Sequence, residues 1–273
     1  MTTERSGGAD TGLYGPGSVT WRVNADPAML LAGLRALLLQ AVHPLAMAGV
    51  AQHSDFKADP WGRLLRTADY VRVTSFGTTD EAQRAAAVVR GIHNRLAGIE
   101  PESGRAYRVN DPELLLWVHC CQVESFLTTT TRCGLRLTAA EKDAYYAEQV
   151  RNARLIGVKR APASVAEMAD YFAEQRHELR VTASAREAAR FVLLPPMPAK
   201  VRLGTPARPA WALLAGTAFG MLPRWTRRLY RMPGLPMTDV AATASGIAIR
   251  QGMLAVPQSL VRKAEARRKP PPA

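Results

Sequence analysis

Three of the chain's five histidines fall between Gln40 and Gly98. His43 sits in Gln40-x-x-His43-Pro44, His53 in His53-Ser54-Asp55-Phe56, and His93 in His93-Asn94-Arg95-Leu96-Ala97-Gly98. The same stretch holds Arg63-x-x-Arg66-Thr67, and His119 follows in Trp117-Val118-His119. Neutral imidazole is a common ligand of iron, so several imidazoles converging on a helical core would make a metal or haem pocket. A guanidinium beside it would neutralise a carboxylate or stabilise reduced oxygen. Each residue also has an architectural reading: a lone histidine on an apolar face is more often a satisfied core residue, and a helical threonine often bonds back to its own backbone.

The elements that must position these residues read as helices. Asp26-Pro27 opens a first long helix running to about Ala51, with Pro44 kinking it beside His43 because a proline nitrogen cannot donate to the carbonyl of Gln40. Asp59-Pro60 opens a second, on which Arg63 and Thr67 are one turn apart, with Leu64, Leu65 and Ala68 expected to pack around them. Phe76-Gly77-Thr78-Thr79 is a break, and Thr78 or Thr79 caps a helix from Asp80 to Leu96. There Ala85, Val88, Val89, Ile92 and Leu96 form the expected buried stripe with His93 beside it, and Gly98 supplies the stop. Asp111-Pro112 starts a helix carrying Trp117 and His119 toward one cavity, and Thr138-x-x-Glu141 is a capping box opening the next. Ser164 to Leu179, Ala183 to Leu194, Pro206 to Tyr230 and Val240 to Lys269 read as further helical regions.

Hydrophobic content of 47% in 273 residues, rich in Ala and Leu and poor in β-branched runs, predicts an all-α, single helical domain. Its expected limits are a flexible segment 1–22, a domain 23–260 and a basic, Pro-rich tail 261–273. The formal charge of +13 comes without a zinc-finger, RNA-recognition or helix-turn-helix pattern, and the arginines read as spread over many helices, which argues against nucleic acid. Cys120, Cys121 and Cys133 form neither a zinc pair nor a covalent haem site, and the polar amino terminus lacks an apolar signal core. A cytoplasmic protein is expected. No run reaches the ~20 apolar residues of a membrane span. The basic and aromatic stretch Arg224 to Arg231 would allow peripheral membrane contact. Glu174-x-x-His177 is a single di-iron-type pair without a second copy and reads as an exposed helix face. Zincin, nucleophile-elbow, Walker and dinucleotide motifs do not occur.

Taken in order, His43-Pro44, Asp59-Pro60-x-x-Arg63-x-x-x-Thr67, Phe76-Gly77-Thr78, His93-x-x-x-x-Gly98 and Trp117-Val118-His119 resemble the family that unites bacterial rubber oxygenases (latex clearing proteins) with the oxygenase of mycophenolic acid biosynthesis. The resemblance runs from about Val23 to Leu260. It implies a globin-like helical core around haem b and an oxygenase that uses dioxygen on an apolar, isoprenoid-like small molecule. By motif order it makes His93 the iron ligand, with His119 the competing axial residue. Arg63 and Thr67 match residues near the haem, and Arg66 stands where rubber oxygenases carry a lysine. His43 becomes the candidate distal donor or base, and Arg63 or Arg66 the partner of propionate or reduced oxygen. The competing readings are a non-catalytic haem-binding sensor or carrier, and a membrane or interaction module whose histidines are structural.

Overall fold

The structure is a computed structural model, and it describes residues 10–54, 58–197 and 205–256. Among these residues there are twelve α-helices and one two-stranded sheet, so the chain is all-α in class. The central element is α2 (Met29–Gln40), apolar on nearly every side, which packs along α6 (Pro112–Arg132). A helix that is hydrophobic all round belongs in the middle of a protein, and Leu31, Leu34, Leu38 and Leu39 are indeed fully buried. Around this pair stand α1 (Val19–Asn24), α7 (Ala139–Leu155), α8 (Val165–Gln175) and α9 (Ala183–Leu193). Their shared core includes Val23, Trp117, Tyr145, Met168 and Phe172. Three further helices close the other side: α10 (Ala207–Gly220), α11 (Arg224–Leu229) and α12 (Thr238–Leu254).

The first long helix is broken, not kinked. α2 ends at Gln40, and α3 (Pro44–His53) leaves at 106° to it. A proline disfavours helical backbone at the residue before it and is well suited to the first helical position. His43 is therefore extended (ψ 116°) and serves as the N-cap of α3, its Nδ1 accepting from Ala46 N at 3.4 Å. The break is pinned to α6: Trp117 Nε1 donates to Gln40 O (3.0 Å), and Gln40 Nε2 donates to Val118 O (3.1 Å). The Gln-x-x-His-Pro and Trp-Val-His motifs thus meet in one joint.

Other boundaries differ from the sequence reading. α1 opens at Val19 with Thr20 buried against α7, so the expected flexible segment ending at residue 22 runs into a packed helix. Gln149 donates to Thr20 Oγ1 there, and Glu148 accepts from Thr20 N. A short hairpin, β1 (Ala97–Ile99) with β2 (Ala106–Arg108), is too brief to leave a periodic signal. Gly98 lies inside it and is not a helix stop. A Cβ there would sit 2.3 Å from Gln52 Oε1 and 2.6 Å from Tyr107 Oη, so glycine lets α3 rest on the hairpin. His53 serves the same contact, its ring bonded to Ala97 O and Tyr107 Oη. Pro223 divides the region expected as Pro206 to Tyr230 into α10 and α11, and α12 is described to Leu254. Asp55 and Phe56, the expected continuation of α12 to Lys269 and the tail 261–273 lie outside the described residues.

Buried charge fastens the α10 side. Arg35, itself buried on α2, pairs with Glu124 and donates to Ser125 Oγ and to Met221 O. Arg132 also donates to Met221 O, and Arg227 to Gly220 O. Three guanidiniums thus satisfy the last carbonyls of α10, where the helix dipole favours cations. Among the described residues no single helix is long and apolar enough to cross a membrane; α2 and α3 pass only as a bent pair.

Candidate active site

The Arg63 and His93 motifs lie on an αα-hairpin made by α4 (Pro60–Phe76) and α5 (Thr79–His93). Asp59 caps α4 through Gly62 N (2.8 Å), with Pro60 at the first helical position. The turn between the helices is tight. A Cβ on Gly77 would lie 2.7 Å from Val73 O, and Thr78 with Glu81 forms a reciprocal capping box. Phe76 is held from outside by an edge contact with Trp21 at 5.2 Å.

Helix geometry then brings the candidates to one end. At a rise of 1.5 Å per residue, Arg63 lies about 20 Å and His93 about 21 Å from the turn, so they are level. On α4, Thr74 is buried and shares its face with Thr67 and Arg63; on α5, Ala82 and Ala86 are buried and share theirs with His93. Near the turn these inward faces are sealed by packing. At the far end Arg63 and His93 are only half-buried, and Thr67 is exposed.

The chemistry of each group follows from its surroundings. Burial lowers the pKa of His93, which keeps its imidazole neutral at pH 7. No hydrogen bond to its ring exists among the described residues. Arg63 is also destabilised as a cation, first by burial and then by the charge of Arg66, and it has no anionic or hydrogen-bonding partner among the described residues. Thr67 Oγ1 donates back to Arg63 O at 3.0 Å, the commonest fate of a helical threonine. Arg66 points away and pairs with Asp59 at 3.2 Å on the exposed side. The apolar neighbours expected around these residues are turned elsewhere: Leu65 is 52% and Val88 64% exposed, and Ala68 and Ile92 are exposed as well. The buried positions of α5 are instead Ala82 and Ala86.

The other histidines stand apart, so imidazoles do not converge on one pocket. Among the described residues no three His, Cys, Asp or Glu side chains gather in a metal-holding group. His43 is 6% exposed, packed against Trp117 at 5.6 Å between ring centroids. Burial pushes its pKa down to about 4, against an opposing pull from Glu178. With Nδ1 accepting at the cap, the neutral ring carries its proton on Nε2. His119 is 3% exposed, has a pKa pushed down to about 4 by burial, and makes no hydrogen bond among the described residues. Two residues on from Trp117, it points about 200° away around α6, so the two side chains do not line one cavity. His177 is exposed and bonded to Glu174 O, as expected for a surface pair.

One feature near Arg63 had no sequence signal. Trp61, two residues before it, packs edge-on against Trp211 of α10 at 4.8 Å and donates to Pro196 O. Beside this clamp lies a cleft of about 260 Å³ lined by Leu193, Leu194, Pro195, Met197, Arg208 and Trp211. The tryptophan within Asp59-Pro60-Trp61 was visible, but a partner 150 positions away was not. The buried Arg35–Glu124 pair was likewise hidden, since a Glu and an Arg 89 residues apart carry no local pattern.

A neutral imidazole and a guanidinium, each without a hydrogen-bond or ion-pair partner among the described residues, thus lie on the two helices of one hairpin. No curated protein and no solved structure matches the chain. A family model does, over residues 21–254, and its description is ER-bound oxygenase mpaB/B'/Rubber oxygenase, catalytic domain. That span takes in both helices of the hairpin and the Gln40–Trp117 joint, and on it the chain belongs to this oxygenase catalytic-domain family.

Proposed function

We propose that the chain is a haem b-dependent oxygenase acting on an apolar, isoprenoid-like small molecule with dioxygen. The observation that carries this reading is the pairing of His93 and Arg63. A haem needs one axial imidazole and cations for its propionates, and not a cluster of three or four protein donors. His93 offers a neutral ring with no competing partner, and Arg63 a half-buried cation with no counter-ion. The donor set present therefore fits the group. Bound haem would supply the redox chemistry that activates dioxygen.

The residues of the chain have separate tasks in this reading. His93, on α5, would hold the iron, and Arg63, on α4, would pair with a propionate. Thr67, with its proton committed to Arg63 O, presents only oxygen lone pairs. Asp59 keeps Arg66 on the outer side of α4. The open cleft beside Trp61 and Trp211, lined mostly by apolar side chains together with Arg208, would hold a lipophilic substrate. His43 has its ring wedged between its own helix cap and Trp117, apart from His93, and takes no distal role in this reading.

The competing sensor or carrier reading draws on His119, a second buried neutral imidazole without a partner. Carbon monoxide addition to the reduced protein separates the two. An oxygenase with one protein ligand binds carbon monoxide and incorporates labelled dioxygen into members of an isoprenoid panel. A six-coordinate centre that resists carbon monoxide and leaves every panel member unchanged would replace this reading with the carrier.

A further inference from the structure

Positive charge is concentrated, contrary to the even spread read from the sequence. Residues 195–273 hold 13 Lys and Arg against 2 Asp and Glu, which is net +11 of the chain's +13. The same region presents an apolar surface left uncovered among the described residues. Every residue from 231 to 237 is exposed, and after Arg231 the loop reads Met-Pro-Gly-Leu-Pro-Met. Leu235, at its tip, is 79% exposed, and its backbone is held out by Leu235 N to Thr238 Oγ1 (2.8 Å) and Thr238 N to Leu235 O (2.9 Å).

The helix that follows inverts the usual pattern of a surface helix. On α12 the exposed positions Val240, Ala244, Ile247, Gln251 and Leu254 recur at three- and four-residue steps and carry no charge. Its two charged residues are spent on ion pairs with other elements: Asp239 with Arg224 and Arg227, and Arg250 with Asp26. A water-facing helix surface is normally polar, and an uncovered apolar patch marks an interaction site.

The cations flank this surface. Of the stretch Arg224 to Arg231, the aromatic residues turn inward: Trp225 packs near Phe172 beneath the Arg176 guanidinium, and Tyr230 donates to Leu38 O. Arg224, Arg228 and Arg231 remain exposed. Arg231 is the only non-glycine residue with positive φ (57°) among those described, at the position where a helix C-terminus ordinarily takes glycine. The arrangement is a Schellman cap, with Met232 N to Arg227 O (3.0 Å) and Arg231 N to Arg228 O (2.9 Å). A cation is kept at the base of the apolar loop despite local strain.

We propose that the loop 231–237 and the outer face of α12 dock on an anionic lipid bilayer. Met232, Leu235 and Met237 enter the interface while Arg228 and Arg231 pair with lipid headgroups. A bilayer rewards both features at once. Nucleic acid would reward the cations and not Leu235 or Ile247. A symmetric second copy would cover the apolar face but set the basic rim against itself. The inference stands apart from the haem reading, because it concerns a different surface and is read without any spectrum or turnover.

Vesicle sedimentation of the full chain tests it, with phosphatidylcholine alone and with phosphatidylcholine containing phosphatidylglycerol, at low and high salt. Partition is expected on the anionic vesicles at low salt, falling at high salt. Leu235→Asp with Ile247→Asp should lower it about tenfold or more, and Arg228→Glu by roughly fivefold or more. Arg231→Gly relieves the strain, so it should keep or raise Tm while still losing roughly fivefold in partition; a purely structural role for Arg231 would not separate these readouts. Circular dichroism confirms that each variant folds. Absence of partition on anionic vesicles, equal partition on neutral ones, or an unchanged Leu235→Asp/Ile247→Asp variant would overturn the proposal. So would a wild-type dimer in sedimentation that Ile247→Asp dissolves without any lipid binding.

Discussion

Acidification from pH 7.5 to 5 should destabilise the protein through two buried histidines, before its carboxylates begin to protonate. His43 and His119 are held neutral in the fold with pKa values of about 4, against about 6.5 in an unfolded chain. Their contribution is fully present above pH 6.5 and is lost as pH falls toward 4, because the unfolded chain takes up protons first. A gap of about 2.5 pH units corresponds to about 3 kcal/mol for each ring, of which about 2 kcal/mol is already lost at pH 5. Both side chains are almost wholly buried, so solvent screening does not reduce the figure much. Two losses of about 2 kcal/mol are large beside a net stability of ~5–15 kcal/mol. Urea unfolding followed by circular dichroism at the two pH values measures the difference. His43→Asn keeps a good N-cap while removing the titration, and His119→Phe exchanges an unbonded ring for an apolar one. Each variant should lose about 2 kcal/mol of pH dependence. If both retained the wild-type dependence, the assignment of buried neutral imidazoles would be wrong.

Glu124→Gln should destabilise by about 3–5 kcal/mol in urea unfolding, because it leaves the buried Arg35 guanidinium without a counter-ion, while Arg35→Met with Glu124→Leu should cost far less. Gly77→Ala should cost about 1–3 kcal/mol and loosen the α4–α5 hairpin, since the new Cβ meets the carbonyl of Val73; a thermal melt equal to wild type would refute the tight-turn reading.

The legible part of the fold was what local chemistry encodes. Asp59-Pro60, Asp111-Pro112 and Thr138-x-x-Glu141 each mark a helix start because cap residues bond their own first turn, and each helix begins there; of the two candidate caps Thr78 and Thr79, Thr78 is the one used, and its helix opens at Thr79. The break at His43-Pro44 was read as a kink because the proline rule permits both outcomes; the choice lies in the Gln40–Trp117 joint, which is a tertiary contact. The stripe of α5 was misplaced for a similar reason. Val88 and Ile92 fit helical spacing, yet the face that packs is chosen by tertiary contacts, and the buried residues are Ala82 and Ala86. At the site, Arg63, Thr67 and His93 were named from motifs, and the common level of Arg63 and His93 follows from their similar distances along α4 and α5 from the turn. That His43 and His119 lie in separate surroundings could not be read from spacing, since it depends on the angle between α2 and α3 and on the facing of α6.

The assignment of His93 is tested most directly by the absorption spectrum of the purified protein, oxidised and reduced, beside those of His93→Ala and His119→Ala. A Soret band in the wild type that is lost or strongly shifted in His93→Ala and retained in His119→Ala is the predicted result. An unchanged band in His93→Ala with loss in His119→Ala, or no Soret band after expression with iron and haem precursor, would contradict it.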